Sequence, residues 1–220
     1  LRMDEIITGH EQIMNRHDPK GRVGLIVDEW GTWYDVEPGT NPGFLYQQST
    51  LRDAQVAALT LNIFNRHASR VVMANLAQTV NVLQAVILTE GDKMVLTPTY
   101  HVFDLYKAHQ EGLLVPSHVE TDESAPGVCR LSASASRKDN VLTVTVANTS
   151  ATEGTEAVIS LSGTKPAAAH GRMLAGEMHA KNDFDASPVA IQPLADIAIQ
   201  GDEVRVSLPA CAVAEITITL

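Results

Sequence analysis

Aromatic residues are scarce and unevenly placed in this 220-residue chain: nine of the ten lie within the first 106 positions, and only Phe184 lies beyond. Residues 117–220 contain no Trp or Tyr, so they lack the flat stacking platforms on which sugar-binding modules rely. Cysteine is nearly absent too. Cys129 and Cys211 stand far apart, which excludes a disulfide framework and favours a reducing, cytoplasmic compartment. Positive charge is in deficit, with 16 Lys and Arg against 26 Asp and Glu, a net charge of −10. That balance argues against nucleic-acid and anionic-membrane partners, but a neutral sugar meets no such objection. No apolar run is long enough to span a bilayer. No signal peptide is visible, although the opening Leu-Arg-Met-Asp does not look like a natural start, so that absence says little. The sequence holds no G-x-S-x-G elbow, P-loop or G-x-G-x-x-G. Of the eight histidines, His10 and His17, and His101 and His109, lack the spacing of a metal signature such as H-E-x-x-H. They read as surface or satisfied core residues.

What is present is a globular composition, 45% hydrophobic and 19% charged, with a change of texture near Pro116-Ser117. Residues 3–17 are expected to form a helix with Ile6, Ile7, Ile13 and Met14 on one side, ended by Asp18-Pro19-Lys20-Gly21. Residues 23–28 form a nearly continuous apolar strand, as expected when both faces are buried in a parallel sheet. Thr50, with Asp53 three residues on, resembles a capping box for a helix to about Arg66. Its buried stripe would be Leu51, Ala54, Ala58, Leu61 and Phe64. A second short strand covers 70–76, and a last helix roughly 99–111. Helix, strand, helix, strand, helix is the order of a parallel α/β architecture. From 128 onward come short alternating segments at 128–136, 140–148, 155–162, 170–179, 196–200, 203–208 and 212–219, with turns at Asp139-Asn140 and Gly201-Asp202, the pattern of an antiparallel β-sandwich. Two βα units cannot make an eight-stranded barrel. Either the sheet is small and open, or the chain is the C-terminal part of something larger.

The candidate chemistry lies at 23–34, Val-Gly-Leu-Ile-Val-Asp-Glu-Trp-Gly-Thr-Trp-Tyr. An apolar strand that stops at a carboxylate pair beside aromatics is how many sugar-cleaving barrels place a catalytic acid; the plain alternative is a solvated turn. Period-two alternation puts Glu29 with Val27 and Leu25, and Asp28 with Ile26, so only one acid can point into a site. Glu29 is assigned the chemistry, and Asp28 the fastening of its strand to a neighbouring loop. Trp30 reads equally as core or as site wall, and Trp33, further into the loop, as a sugar-stacking platform. Gln78 and Asn81, just after the second strand, offer amides suited to sugar hydroxyls, although a loop amide more often stabilises a turn.

The string Asp28-Glu29-Trp30-Gly31-Thr32-Trp33-Tyr34 resembles the nucleophile strand of family 51 glycoside hydrolases, mostly α-L-arabinofuranosidases. The likeness continues through Leu51-Arg52-Asp53-Ala54, 61–68, Asn75-Leu76-Ala77-Gln78-Thr79-Val80-Asn81 and Leu96-Thr97-Pro98-Thr99-Tyr100-His101. It extends more loosely to Asn182-Asp183-Phe184 through Pro188-Val189. The resemblance implies the C-terminal portion of a (β/α)8 TIM barrel over 1–116, with strands seven and eight at 23–29 and 70–76, followed by a β-sandwich over 117–220. It implies retention of configuration, with Glu29 as nucleophile, Gln78 and Trp33 as substrate-binding residues, and Trp30 beside them. No metal or organic cofactor is implied. The partners it implies are an arabinose-containing oligosaccharide, the missing N-terminal half of the barrel and a homo-oligomer such as a hexamer. The family's acid/base is a glutamate in an Asn-Glu pair after an earlier strand, and this chain contains no Asn-Glu dipeptide. A retaining hydrolase needs two carboxyl groups about 5–5.5 Å apart. Glu37, the nearest downstream glutamate, follows a loop expected to be flexible and is not promoted to that role. The expected function is release of terminal α-L-arabinofuranosyl residues with the acid/base outside this chain. The alternatives are an endo-β-glucanase of the same family and a non-catalytic carbohydrate-binding module.

Overall fold

A computed structural model describes residues 2–220. The first part runs α1 (Arg2–His17), β1 (Leu25–Trp30), α2 (Leu51–Arg66), β2 (Val71–Leu76), a hairpin of β3 (Ile87–Glu90) and β4 (Lys93–Leu96), and α3 (Pro98–Tyr106). Acidic Asp4 and Glu5 open α1 and basic Arg16 and His17 close it, both favourable to the helix dipole. Of the apolar side expected for this helix, only Ile7 is buried; Ile6 and Ile13 are exposed, because few elements pack on α1. Beyond its end, buried Arg70 fastens the turn into β1. The Arg70 guanidinium donates to the Asp18 carboxylate at 2.9 Å and to Asn15 Oδ1 at 2.7 Å.

β1 and β2 form a parallel two-stranded sheet, running from Leu25 opposite Val71 to Trp30 opposite Leu76. Leu25, Val27, Trp30, Val71, Ala74 and Leu76 pack into a core with α2 and α3. The other face is open: Ile26 is 50% exposed and Val72 65%. Burial on both faces, expected from the apolar run, is therefore not met within this chain. The parallel section is an open pair with two free edges rather than a closed barrel.

α2 begins as expected, with the Thr50 N–H donating to Asp53 Oδ2 at 2.8 Å. Its next two orphan N–H groups, those of Leu51 and Arg52, donate to the carbonyls of Ala180 and Met178 at 2.9 and 2.8 Å, so a distant segment completes the N-terminus. Leu51, Ala54, Ala58 and Phe64 are buried as the stripe predicts. The polar flank is not solvated. Gln55 donates to the Ala212 carbonyl, Asn62 to the Ser132 carbonyl and Asn65 to Ser134 Oγ, at 3.2, 3.0 and 2.9 Å.

The remaining strands are β5 (Leu113–Val115), β6 (Glu123–Ala125), β7 (Val128–Cys129), β8 (Leu131–Lys138), β9 (Val141–Asn148) and β10 (Thr155–Ser160). They continue with β11 (Ala168–Leu174), β12 (Gln192–Pro193), β13 (Ile197–Gln200), β14 (Glu203–Leu208) and β15 (Val213–Thr219). Six of them form an antiparallel sheet ordered β12-β11-β15-β9-β8-β5, and three form a second ordered β10-β14-β13. Their inner faces bury Leu142, Val144, Val204, Val206, Ile216 and Ile218. The turns at Asp139-Asn140 and Gly201-Asp202 close the β8–β9 and β13–β14 hairpins. β5 joins this sheet ahead of residue 116. The segment expected as a strand to 179 leaves the sheet after Leu174 and turns back to cap α2.

A buried polar cluster seals α2 and α3 to the six-stranded sheet. Asn62 Oδ1 accepts from Tyr106, Ser134 and Thr145 hydroxyls, each at 2.9 Å. His109 meets Ser136 Oγ at 2.7 Å and Thr145 Oγ1 at 2.9 Å. It is a satisfied core histidine, and burial pushes its pKa down to about 4.

Candidate active site

β1 carries Asp28 and Glu29 to its C-terminal end, where both are exposed. The alternation used to orient Glu29 fails here. Leu25 and Val27 pack against the helices, so strict period two would send Glu29 the same way. A register irregularity between Val27 and Trp30 interrupts the alternation. Trp30 takes the core position and Glu29 stays in the open.

Trp30 is 5% exposed, with its ring centroid 5.3 Å from Phe64, edge-on, and 6.1 Å from Phe103. Of its two readings, core and site wall, its placement is that of core. Trp33 is 65% exposed. Gln78, also exposed, follows β2 directly, and the Ala77 N–H donates to the Trp30 carbonyl at 3.0 Å. Because the strands are parallel, Glu29 near the end of β1 and Gln78 in the loop after β2 lie at the same end of the pair. Asn81 belongs to its own turn: its amide donates to Thr89 Oγ1 at 3.0 Å and accepts from the Thr89 N–H at 2.8 Å. That is the turn-stabilising reading, not the sugar-binding one. The Glu37 loop is not free either. The Glu37 N–H donates to the Tyr46 carbonyl at 2.9 Å, and its carboxylate accepts from the Gln48 N–H at 3.4 Å.

Asp28 is exposed, and within this chain other residues fasten the segment after β1. Thr32 Oγ1 lies 2.9 Å from Asp53 Oδ1 and 2.8 Å from Gln84 Oε1. The Thr32 N–H donates to Gln84 Oε1, and Gln84 Nε2 donates to the Ala77 carbonyl. Gly31 makes this approach possible. At φ +135 its backbone disfavours other residues, and a Cβ there would stand 2.3 Å from the Gln84 amide. Further along, the Tyr34 N–H donates to Gln47 Oε1 at 2.8 Å, and the Arg52 guanidinium sits 4.0 Å above the Tyr34 ring, a cation–π contact. Burial, helped by the Asp53 charge, pushes the Tyr34 phenol up. Thr32, Gln47 and Gln84 escaped the sequence reading and Asp53 was read only as a helix cap, although the Gly31-Thr32 pair directly after the acid was the available signal.

The arrangement thus presents an exposed carboxylate, an exposed amide and an exposed indole on loops held from below by buried polar side chains. Such a carboxylate can attack a carbon or exchange a proton. Among the described residues no group of His, Cys, Asp and Glu is placed to hold a metal ion.

The profile of the α-L-arabinofuranosidase C-terminal domain matches residues 28–212. The chain belongs to glycoside hydrolase family 51, the α-L-arabinofuranosidases. It is 41% identical over 217 residues to an intracellular exo-α-L-arabinofuranosidase of Bacteroides ovatus, covering 96% of this chain and 42% of that protein. The crystal structure of a family 51 arabinofuranosidase from Xanthomonas axonopodis pv. citri superposes with a TM-score of 0.91 at 43% identity, over 99% of this chain and 45% of that one. The α-L-arabinofuranosidase of Thermotoga maritima, solved as an arabinose complex, shares the fold at 24% identity with a TM-score of 0.84, over 98% of this chain and 48% of that one. The chain therefore spans less than half the length of these relatives, and its fold is mostly β with few helices. No helix among the described residues is long and apolar enough to cross a membrane.

Proposed function

We propose that this chain supplies the nucleophile side of a retaining α-L-arabinofuranosidase that releases terminal arabinofuranosyl residues. β1 and β2 serve as the seventh and eighth strands of a (β/α)8 barrel within residues 1–116, and residues 117–220 as its β-sandwich. The observation that carries this reading is the meeting of the Glu29 and Gln78 loops at one end of a parallel pair, the C-terminal face on which barrel enzymes build their sites. Glu29 attacks the anomeric carbon, expelling the leaving sugar and forming a covalent glycosyl-enzyme. An acid/base outside this chain protonates the departing oxygen and then activates water. Gln78 holds substrate hydroxyls, and Trp33 lines the leaving-group side. The exposed face of β1 and β2 is covered by the N-terminal half of the barrel, and the assembled enzyme is a homo-oligomer acting inside the cell, as the Bacteroides relative is named.

Trapping the complete enzyme with a 2-fluoro arabinofuranosyl reagent tests the assignment, because the fluorine slows hydrolysis of the covalent intermediate. The label is expected on the peptide carrying Glu29. A label on any other residue overturns the reading.

A further inference from the structure

Gln84 lies on neither strand of the parallel pair, yet its side chain touches both loops that leave them. It is 3% exposed. Its Oε1 takes the Thr32 N–H, three residues past Glu29, and its Nε2 donates to the carbonyl of Ala77, next to Gln78. A side-chain amide is the group that can do this, since it accepts on one atom and donates on the other. Its mount is itself fixed. The Leu83 N–H donates to the Leu45 carbonyl at 3.0 Å, and Thr97 Oγ1 donates to the Ala85 carbonyl at 2.9 Å. The bare Cα of Gly31 leaves room for the amide, which a Cβ would strike. The surroundings mix apolar Trp30, Val56, Ala57 and Leu76 with polar Thr32, Asp53 and Thr99, and the hydrogen bonds of the Gln84 amide go to Thr32 and Ala77.

We infer that Gln84 is a positioning residue that cross-links the Glu29 loop to the Gln78 loop, setting the attacking carboxylate and the substrate-holding amide in one fixed relation. The inference rests on the proposed roles of Glu29 and Gln78. A group held by two loops transmits a displacement of either one to the reacting centre, where misplacement of about 1 Å can lower a rate on the order of a hundredfold.

The test compares Gln84→Met and Gln84→Glu with the parent in the complete enzyme, at temperatures well below unfolding. Met keeps the length and removes the hydrogen bonds to Thr32 and to Ala77. Ionised Glu keeps acceptance from Thr32 but cannot donate to Ala77, and protonation restores a donor. Labelling of Glu29 by the 2-fluoro arabinofuranosyl reagent is expected to slow about tenfold or more in Gln84→Met. In Gln84→Glu, activity relative to the parent should recover as pH falls, a response that mere loss of packing does not give. Hydrogen exchange should quicken in both 31–34 and 77–79. Labelling of Gln84→Met within twofold of the parent, or exchange that quickens only beside residue 84, overturns the inference. If the parent carries its label elsewhere than Glu29, the proposed function fails instead, and the exchange arm still decides whether Gln84 ties the two loops.

Discussion

The parallel pair and the β-sandwich are built from strands of similar length, but they differ in how their faces are used. In the sandwich, Ile216 and Ile218 are fully buried between two sheets, and each strand of the central β11-β15-β9-β8 run has neighbours on both edges. In the parallel pair, each strand has one neighbour, and Ile26, Val72 and Met73 lie exposed on the face away from the helices. The candidate chemistry sits on this uncovered pair. The sandwich closes on itself, whereas under the proposed reading the reactive carboxylate stands on the open pair. Open edges and exposed apolar faces are costly in a free protein, and under the proposed reading this is the face that the N-terminal half of the barrel covers.

The largest expected contrast is a pair of truncations followed by urea unfolding of the 220-residue chain. Ile216→Ala should cost about 2–5 kcal/mol through the cavity it leaves. Val72→Ala should stay within about 0.5 kcal/mol, and become substantially more costly only in the complete enzyme. Equal costs in the isolated chain break the comparison.

A second, smaller effect probes the seam between the regions. His109 is accommodated neutral, with its pKa lowered from 6.5 to about 4 by burial. Between those values the unfolded chain binds more protons than the folded one. The contribution is therefore complete above about pH 6.5 and is lost as pH falls toward 4, amounting to about 3 kcal/mol. Urea midpoints of the parent and His109→Asn across pH 4–7 should show a steeper acid loss in the parent. Parallel curves mean that the seam does not carry the acid sensitivity.

Local signals made much of this legible. Thr50 and Asp53 marked the start of α2, the apolar runs marked β1 and β2, and Asp139-Asn140 and Gly201-Asp202 marked their hairpins. What stayed hidden depends on contacts far apart in sequence. No local signal marks that Asn62 and Asn65 on α2 will meet β8. Nothing near Gln84 in the sequence marks its approach to Thr32. The exposure of Glu29 follows from a register irregularity that a period-two reading cannot contain, so the orientation drawn from alternation does not hold. The β3–β4 hairpin turns on Gly91 at φ +58, a signal present in the sequence but left without an assignment.

Under the proposed function, Glu29 is one carboxylate of a catalytic pair whose other member lies outside these 220 residues. The direct measurement is hydrolysis of a nitrophenyl α-L-arabinofuranoside by the purified 220-residue chain, set beside the complete enzyme at equal concentration. Turnover by the complete enzyme with none above background for the chain alone is the predicted result. Robust hydrolysis by the chain alone would contradict it.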